Sequence, residues 1–559
     1  MDSVIATLKD LVPINLNFDF DALLDRLRSI SPSQLAAGVP VCLLLYFLVP
    51  WLWDPYHQRS IPGPFLAKFS NAWLGWVSAH GHRSEIVHEL HKKYGPVVRI
   101  APNHVSVADP EALQVVYAHG NGSLKSDFYD AFVSIHRGLF NTRDRQQHAR
   151  KRKIVSGIFS QKNVLEFEPH VRLYVGQLME QWDRLCARAE KGESGDEGEG
   201  GWQGRGGKLW LDCLPWYNYL AFDIIGDLAF GSPFGMIHSA KDSAPVAVSH
   251  ADAMSAYGSS ASNIKVVHIP AVQILNDRGE YSAAMGVLPP AIRPFMQRFV
   301  PWYRKGGKAV RNLAGIAVAA VAKRLNEPSD RVDLLRRLQE AKDDEGNPMG
   351  REELTAEALT QLIAGSDTTS NSSCAITYYL ALHPEIQTKL QRELDDALGT
   401  DDDPVSTFDA VKRLPYLDSV INEALRLHST SSIGLPRIAP EGGLALRGLW
   451  FPPGAILSVP SYTIHRDAGV WGADTEAFRP ERWAEEERRD AVQRAFNPFS
   501  FGPRACVGRN LASMELLVIV SSILRRYTFV LEDAAKPFDT REGFLRKPVE
   551  CRVGIRRRV

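Results

Sequence analysis

Residues 499–509 read FSFGPRACVGR, and the use of the cysteine in that stretch decides how the whole chain is read. Cys506 is the one cysteine of six flanked by glycines and arginines instead of sitting on an apolar helical face. Gly502 permits a tight turn ahead of it, and Gly508 lets a following helix come close to a flat ligand. Arg504 offers a cation that can pair a carboxylate. Backbone N–H groups beyond Cys506 can hydrogen-bond its sulfur and hold it as a thiolate. Together these make a loop that can hold a thiolate against a flat ligand bearing a carboxylate.

Outward from that loop, residues 351–382 read as one long helix whose centre, Ala364-Gly365-Ser366-Asp367-Thr368-Thr369, is filled with poor helix formers. A local kink is expected there. Ala364 and Thr368 share a face at i, i+4, with Gly365 beside them, so this helix can lie against a flat cofactor and present one hydroxyl to it. In NEALRLH, Glu423 and Arg426 stand at i, i+3 on an amphipathic helix, an inward charge pair that must be satisfied. His148 and Arg152 in HARKR repeat the i, i+4 spacing on another helix, and Arg437 adds a third donor suited to carboxylates. Arg143, Arg145, Arg150, Lys151 and Lys153 make that helix basic, a charge run that is usually only a solvated face and that could steer an acidic partner.

The 559 residues are 45 % apolar and 23 % charged, so the chain can bury a large core. Lys plus Arg and Asp plus Glu are both 65, which leaves no global field to attract nucleic acid. The cysteines lack the spacing of a disulfide framework or a zinc site. No Gly-rich turn in a βαβ setting offers a dinucleotide site.

Residues 35–53 (LAAGVPVCLLLYFLVPWLW) carry no charge and approach the ~20 residues that span a bilayer as helix. They are expected to be a single membrane anchor behind an N-terminal segment, 1–34, the alternative being a cleaved signal peptide. A stiff Pro-rich linker over 54–65, with Ile61-Pro62-Gly63-Pro64 at its end, is expected to lead into a globular body over 66–559. The body reads as mainly helical with small sheets, including β-like stretches at 97–100 and 105–107. Residues 190–208 (EKGESGDEGEGGWQGRGGK) show no apolar period and are expected to be a flexible, solvated insertion.

At Phe499, Gly502, Arg504, Cys506 and Gly508 the loop matches every fixed position of F-x-x-G-x-R-x-C-x-G, and on this signature the chain is identified as resembling the cytochrome P-450 superfamily. The resemblance implies the cytochrome P-450 fold, preceded by one N-terminal transmembrane helix, and haem b with Cys506 as its axial thiolate. It makes Phe499, Gly502, Arg504, Gly508, Ala364 and Gly365, with His148, Arg152 and Arg437 as propionate donors, the cofactor-binding set; His148 departs from the commoner Trp. It makes Asp367 and Thr368 the acid/alcohol pair that delivers protons for dioxygen cleavage. Pro480-Glu481-Arg482-Trp483 is similar to the superfamily's P-E-R-F segment, so Arg482 would join Glu423 and Arg426 in a structural cluster.

The reaction class implied is monooxygenation with O2 and NADPH-derived electrons. The donor implied is a membrane-bound NADPH–cytochrome P-450 reductase, with cytochrome b5 as a second candidate. The setting implied is the endoplasmic reticulum membrane, single-pass, with the catalytic domain cytosolic. Residues 125–160 and 272–289 resemble the fungal benzoate para-hydroxylases, which implies a small aromatic carboxylate as substrate. An anion in a dry pocket needs donors, and Thr430, Ser431 and Ser432, with Arg137 as cation, are expected to hold it. The alternatives are a monooxygenase of another small aromatic or of a fatty acid, and a non-catalytic haem sensor or carrier, against which the presence of Asp367 and Thr368 speaks.

Overall fold

The computed structural model describes residues 31–255, 257, 265–327, 333–343, 345–399 and 403–558. Two units divide the chain at Pro55/Tyr56. Residues 1–30 of the expected N-terminal segment lie outside the described residues. Among its described residues the first unit holds one helix, Pro32–Trp53, of 22 residues with no charged side chain. Some of its side chains fall outside the described set, and among the described residues no helix is long and apolar enough to cross a membrane.

The second unit is mainly helical with small sheets, and its helices start where the sequence supplies caps. Asp144 accepts the N–H of Gln147 at 2.7 Å to open the helix Arg145–Ile158. Asp212 accepts that of Leu214 at 3.0 Å to open Cys213–Phe230, which stops at Gly231 in the left-handed region. Arg351–Leu382 is the longest helix, 32 residues or about 48 Å, and its side chains are buried along nearly the whole length. It packs on Cys213–Phe230 and runs unbroken through 364–372, where Ser366, Thr368 and Ser372 hydroxyls donate to the carbonyls four residues earlier at 2.7, 2.7 and 2.8 Å. Ser366 and Thr368 thus spend their hydroxyls on the helix itself, whereas Thr369 donates to Glu515.

One five-stranded sheet orders Val97–Ala101, His104–Val107, Ile456–Ser458, Arg437–Ile438 and Leu124–Lys125. Its one parallel pair joins His104–Val107 to Ile456–Ser458. The first two strands are those the apolar alternation predicts. The expected linker does not stand apart from this body: Arg99 N–H donates to the Pro62 carbonyl at 2.8 Å and Ile61 is buried. Gly63 is required there because a Cβ would come within 2.1 Å of the Arg99 carbonyl oxygen.

The insertion over 190–208 is also a correction. Ser194–Gly195, Trp202–Arg205 and Lys208–Asp212 are consecutive antiparallel strands that extend a second five-stranded sheet, beside Arg552–Arg557 and Tyr527–Leu531. Trp202 supplies the anchor that composition hides: its ring is buried, its Nε1–H donates to Glu197 at 2.6 Å, and the Arg188 guanidinium lies 4.8 Å over it. One buried indole offsets the entropy of ordering a polar, Gly-rich hairpin.

Candidate active site

Cys506 lies between two elements that fix its position. Its N–H donates to the Phe499 carbonyl at 2.9 Å, which closes the loop, and three residues later the 18-residue helix Arg509–Arg526 begins. The partial positive charge of that helix N-terminus favours a thiolate. Burial pushes the Cys506 thiol up, while the Gly508 N–H and the Arg152 and Arg509 cations pull it down. The side chain is open to an internal void although protein surrounds it.

Gly502 makes the turn with φ of +71°, and a Cβ there would stand 1.8 Å from the Tyr117 carbonyl oxygen. Gly502→Ala is therefore expected to displace the loop, costing about 2–4 kcal/mol of stability from left-handed strain plus the clash. Thermal unfolding of the purified protein checks it, and an unchanged melting temperature contradicts it.

The void has two adjoining lobes, of about 250 and 200 Å³, both bounded by Cys506 on one side and by Ala364 and Thr368 of the long helix on the other. The larger lobe takes in Phe499, Thr430, Ser431 and three phenylalanines, Phe132, Phe140 and Phe544, whose rings stand edge to face with centroids 5.0–5.6 Å apart. The smaller lobe takes in His148, Arg152, Gly365 and Gly508. A Cβ on Gly365 would meet Ile225 at 2.7 Å, so that glycine is first of all the close contact between the two long-packed helices.

Around these lobes stands a set of cations with no anion of their own. Among the described residues, Lys125, Arg152, Arg437 and Arg504 make no ion pair. Arg504 donates to the Thr142 and Arg143 carbonyls, Arg152 to Ala505, and Arg437 to the Tyr129 hydroxyl at 2.8 Å. Burial, reinforced by neighbouring cations, pulls Lys125 well below the usual lysine range and His148 down to about 3, so the imidazole is neutral and one of its nitrogens carries a proton. Arg437 Nη2 is buried with no partner. A flat apolar ligand carrying carboxylates at one edge would satisfy these groups, with sulfur on one face and a helix of small residues on the other. The residues present therefore fit haem: Cys506 to ligate it, and Arg437, Arg504, Arg152 and His148 to meet its propionates.

The family model for cytochrome P-450 matches residues 62–555. The chain belongs to the cytochrome P-450 family. Its relatives include a benzoate 4-monooxygenase of Aspergillus niger, 50 % identical over 95 % of this chain and 98 % of that protein. A cytochrome P-450 monooxygenase of Penicillium aethiopicum is 30 % identical over 91 % of this chain and 96 % of its own length. Pisatin demethylase of Fusarium vanettenii is 29 % identical, covering 88 and 89 %. As a member of the family this cytochrome P-450 takes haem with a cysteine thiolate ligand, and uses O2 and NADPH-derived electrons.

Several expected site residues lie elsewhere. Arg137 is ion-paired to Asp130 at 2.8 Å, donates to the Asn141 carbonyl, and lines a separate surface cleft with His136 and Arg143. It is half-exposed, because water and Asp130 solvate a guanidinium more cheaply than an apolar cavity does. Ser432 is buried and donates to the Ser429 carbonyl, turned away from the void that Thr430 and Ser431 line. Asp367 borders neither lobe; its carboxylate meets Lys547 of the hairpin Thr540–Glu542/Arg546–Pro548 at 2.5 Å. The expected basic cluster is partly neutralised: Arg150 and Lys151 share Glu353, and Arg143, just ahead of the helix, pairs with Asp130.

Glu423, Arg426 and Arg482 do come together, fully buried. Arg426 clasps Glu423 through two bonds of 2.9 Å, and Arg482 Nε reaches the same carboxylate at 2.7 Å.

Sequence reasoning missed two groups. Arg278, in the helix Ala271–Gly286, borders the larger lobe, and Glu515 borders the smaller one, accepting from Thr369 at 2.7 Å with its carboxyl pushed up to about 7 by burial. Arg278 lies within one of the two stretches that resemble benzoate hydroxylases, a signal that could have found it. Glu515 had no signal, since a single acid in an apolar helix reads as a surface residue.

Proposed function

We propose that this cytochrome P-450 is a benzoate 4-monooxygenase: benzoate, O2, two electrons and two protons give 4-hydroxybenzoate and water. The observation that carries the reading is the void itself. Its larger lobe is small, walled by Phe132, Phe140 and Phe544, and opens onto Cys506 and Thr368. The three edge-to-face phenylalanine rings suit a single aromatic ring packed among them. The relative 50 % identical over nearly the full length carries the name of that activity.

When bound, haem with its thiolate ligand supplies the oxygen and electron chemistry. The protein's own part is positional. The phenylalanines exclude water and orient the ring, with Thr430 and Ser431 on the polar side of the cavity. Thr368, now bonded to the Ala364 carbonyl, is the hydroxyl that can turn to hydrogen-bond at the reacting face. Asp367, held by Lys547, passes protons inward from that buried pair. The noncatalytic sensor reading gives this acid and alcohol nothing to do.

Electrons would come from a membrane-bound NADPH–cytochrome P-450 reductase, with cytochrome b5 as a second donor. Arg145 and Lys153 are exposed on the cysteine side, beside Gly502 and Pro503, and suit an acidic docking surface. The uncharged helix Pro32–Trp53, with Leu44, Tyr46, Leu52 and Trp53 exposed along it, suits an anchor in the endoplasmic reticulum membrane that leaves the catalytic unit in the cytosol.

The test is product analysis. Purified holoprotein with reductase and NADPH is expected to convert benzoate to 4-hydroxybenzoate, with NADPH consumption matching product. Turnover of laurate with none of benzoate would overturn the reading.

A further inference from the structure

A benzoate-sized anion needs a cation in the cavity wall, and Arg137, the cation expected from sequence, faces solvent. The wall holds another. Arg278 is 7 % exposed, and among the described residues its one hydrogen bond is Nη2 to the Phe132 carbonyl at 3.0 Å. Its guanidinium carbon lies 5.5 Å over the Phe132 ring, and its Nε is buried without a partner. The same Phe132 carbonyl takes a bond from Asn141 at 3.0 Å, and Ser134, two residues on, keeps a buried hydroxyl that is also unpartnered. Arg278, Ser134 and Asn141 all border the lobe walled by the phenylalanines.

The local charge count does not close. Asp367 is the carboxylate that acts on Arg278, yet Asp367 is already ion-paired to Lys547. Two cations and one anion leave a net positive charge in an interior where an isolated ion is costly. Burial lowers Arg278 to about 10, which keeps it protonated at neutral pH. An anion entering the cavity would close that count.

We propose that Arg278 is the residue that selects a carboxylate substrate, its guanidinium pairing the carboxylate in the larger lobe while the Ser134 hydroxyl donates to the second oxygen. The inference rests on the benzoate reading for the ring, but its core is a class: small organic acids over their neutral isosteres. Fixed at one end by Arg278, an aromatic acid has its ring held among Phe132, Phe140 and Phe544, and a single ring edge is left to meet the reacting face.

The test measures equilibrium dialysis of holoprotein with two acid/amide pairs, benzoate against benzamide and octanoate against octanamide. Arg278→Gln is expected to weaken benzoate binding about a hundredfold, the loss of a charge-assisted bond to a buried anion, with benzamide changed less than about threefold. Arg278→Lys keeps the charge without the planar fork and is expected to lose about tenfold. The carbonyl spectrum of each variant reports that the haem loop is intact. Wild-type protein with no acid preference in either pair overturns the proposal, as does unchanged benzoate affinity in Arg278→Gln. Should that variant not fold, unchanged benzoate affinity in Arg278→Lys overturns it. An Arg278-dependent preference for octanoate with none for benzoate overturns the benzoate reading instead and leaves the role of Arg278 standing.

Discussion

Cys506→Ser is expected to reduce product formation at least about a thousandfold, because the ligand atom carries the electron donation on which oxygen cleavage depends. Serine is nearly isosteric, so the loop bond from residue 506 N–H to the Phe499 carbonyl and the turn at Gly502 persist. What changes is the atom. A hydroxyl is a far weaker acid than a thiol, and the helix N-terminus, the Gly508 N–H and the nearby Arg152 and Arg509 that favour a thiolate cannot ionise it to a comparable extent. The carbonyl spectrum of the reduced protein is the second measurement: the thiolate-type band should vanish while the protein remains folded. A serine variant that keeps both the band and a tenth of the activity would remove Cys506 from the centre of the site.

The second large effect concerns stability. Glu423→Ala is expected to cost about 3–5 kcal/mol, because it strips the shared anion from two fully buried arginines. Glu423 accepts from Arg426, from Arg482, from the Trp483 indole at 3.0 Å and from the Arg479 N–H at 3.0 Å. Without it Arg426 and Arg482 face each other with backbone carbonyls, Asp474 and the Trp471 ring for company. Against a total stability of about 5–15 kcal/mol for a typical fold, most of the margin is lost. Thermal unfolding should show Glu423→Ala melting far below wild type, or not accumulating, with Glu423→Gln in between because its amide still accepts one bond. A Glu423→Ala protein that melts within a few degrees of wild type would mean that the cluster is a conformational device and not a stabilising one.

The loop around Cys506 is local and was therefore legible. Five fixed positions within ten residues, 499–508, carry loop turn, cation and ligand, and each has a function that a neighbour in sequence does not alter. The triad at Glu423, Arg426 and Arg482 was legible because a charge pair on an apolar helix face demands a partner. The substrate side was read less well. Arg137 and Arg278 are both arginines in segments that border the cavity region, and nothing in composition or spacing says which one finds an acid first. Asp130 lies close to Arg137 and takes it to the surface, whereas the acid beside Arg278, Asp367, is already held by Lys547. The insertion over 190–208 was misread for a similar reason: a single buried Trp202 outweighs its polar composition, and burial is a property of what packs over it.

By itself the amino-acid order determined the family, the cysteine loop and the inward charge cluster, because those depend on residue types at short, fixed spacings. The tertiary structure alone decided which cations face the void unpaired, which hydroxyls are spent on their own helix, and how large the cavity is. Those are sums over groups brought from distant parts of the chain, and electrostatic and packing energies depend on such neighbours far more than on sequence position.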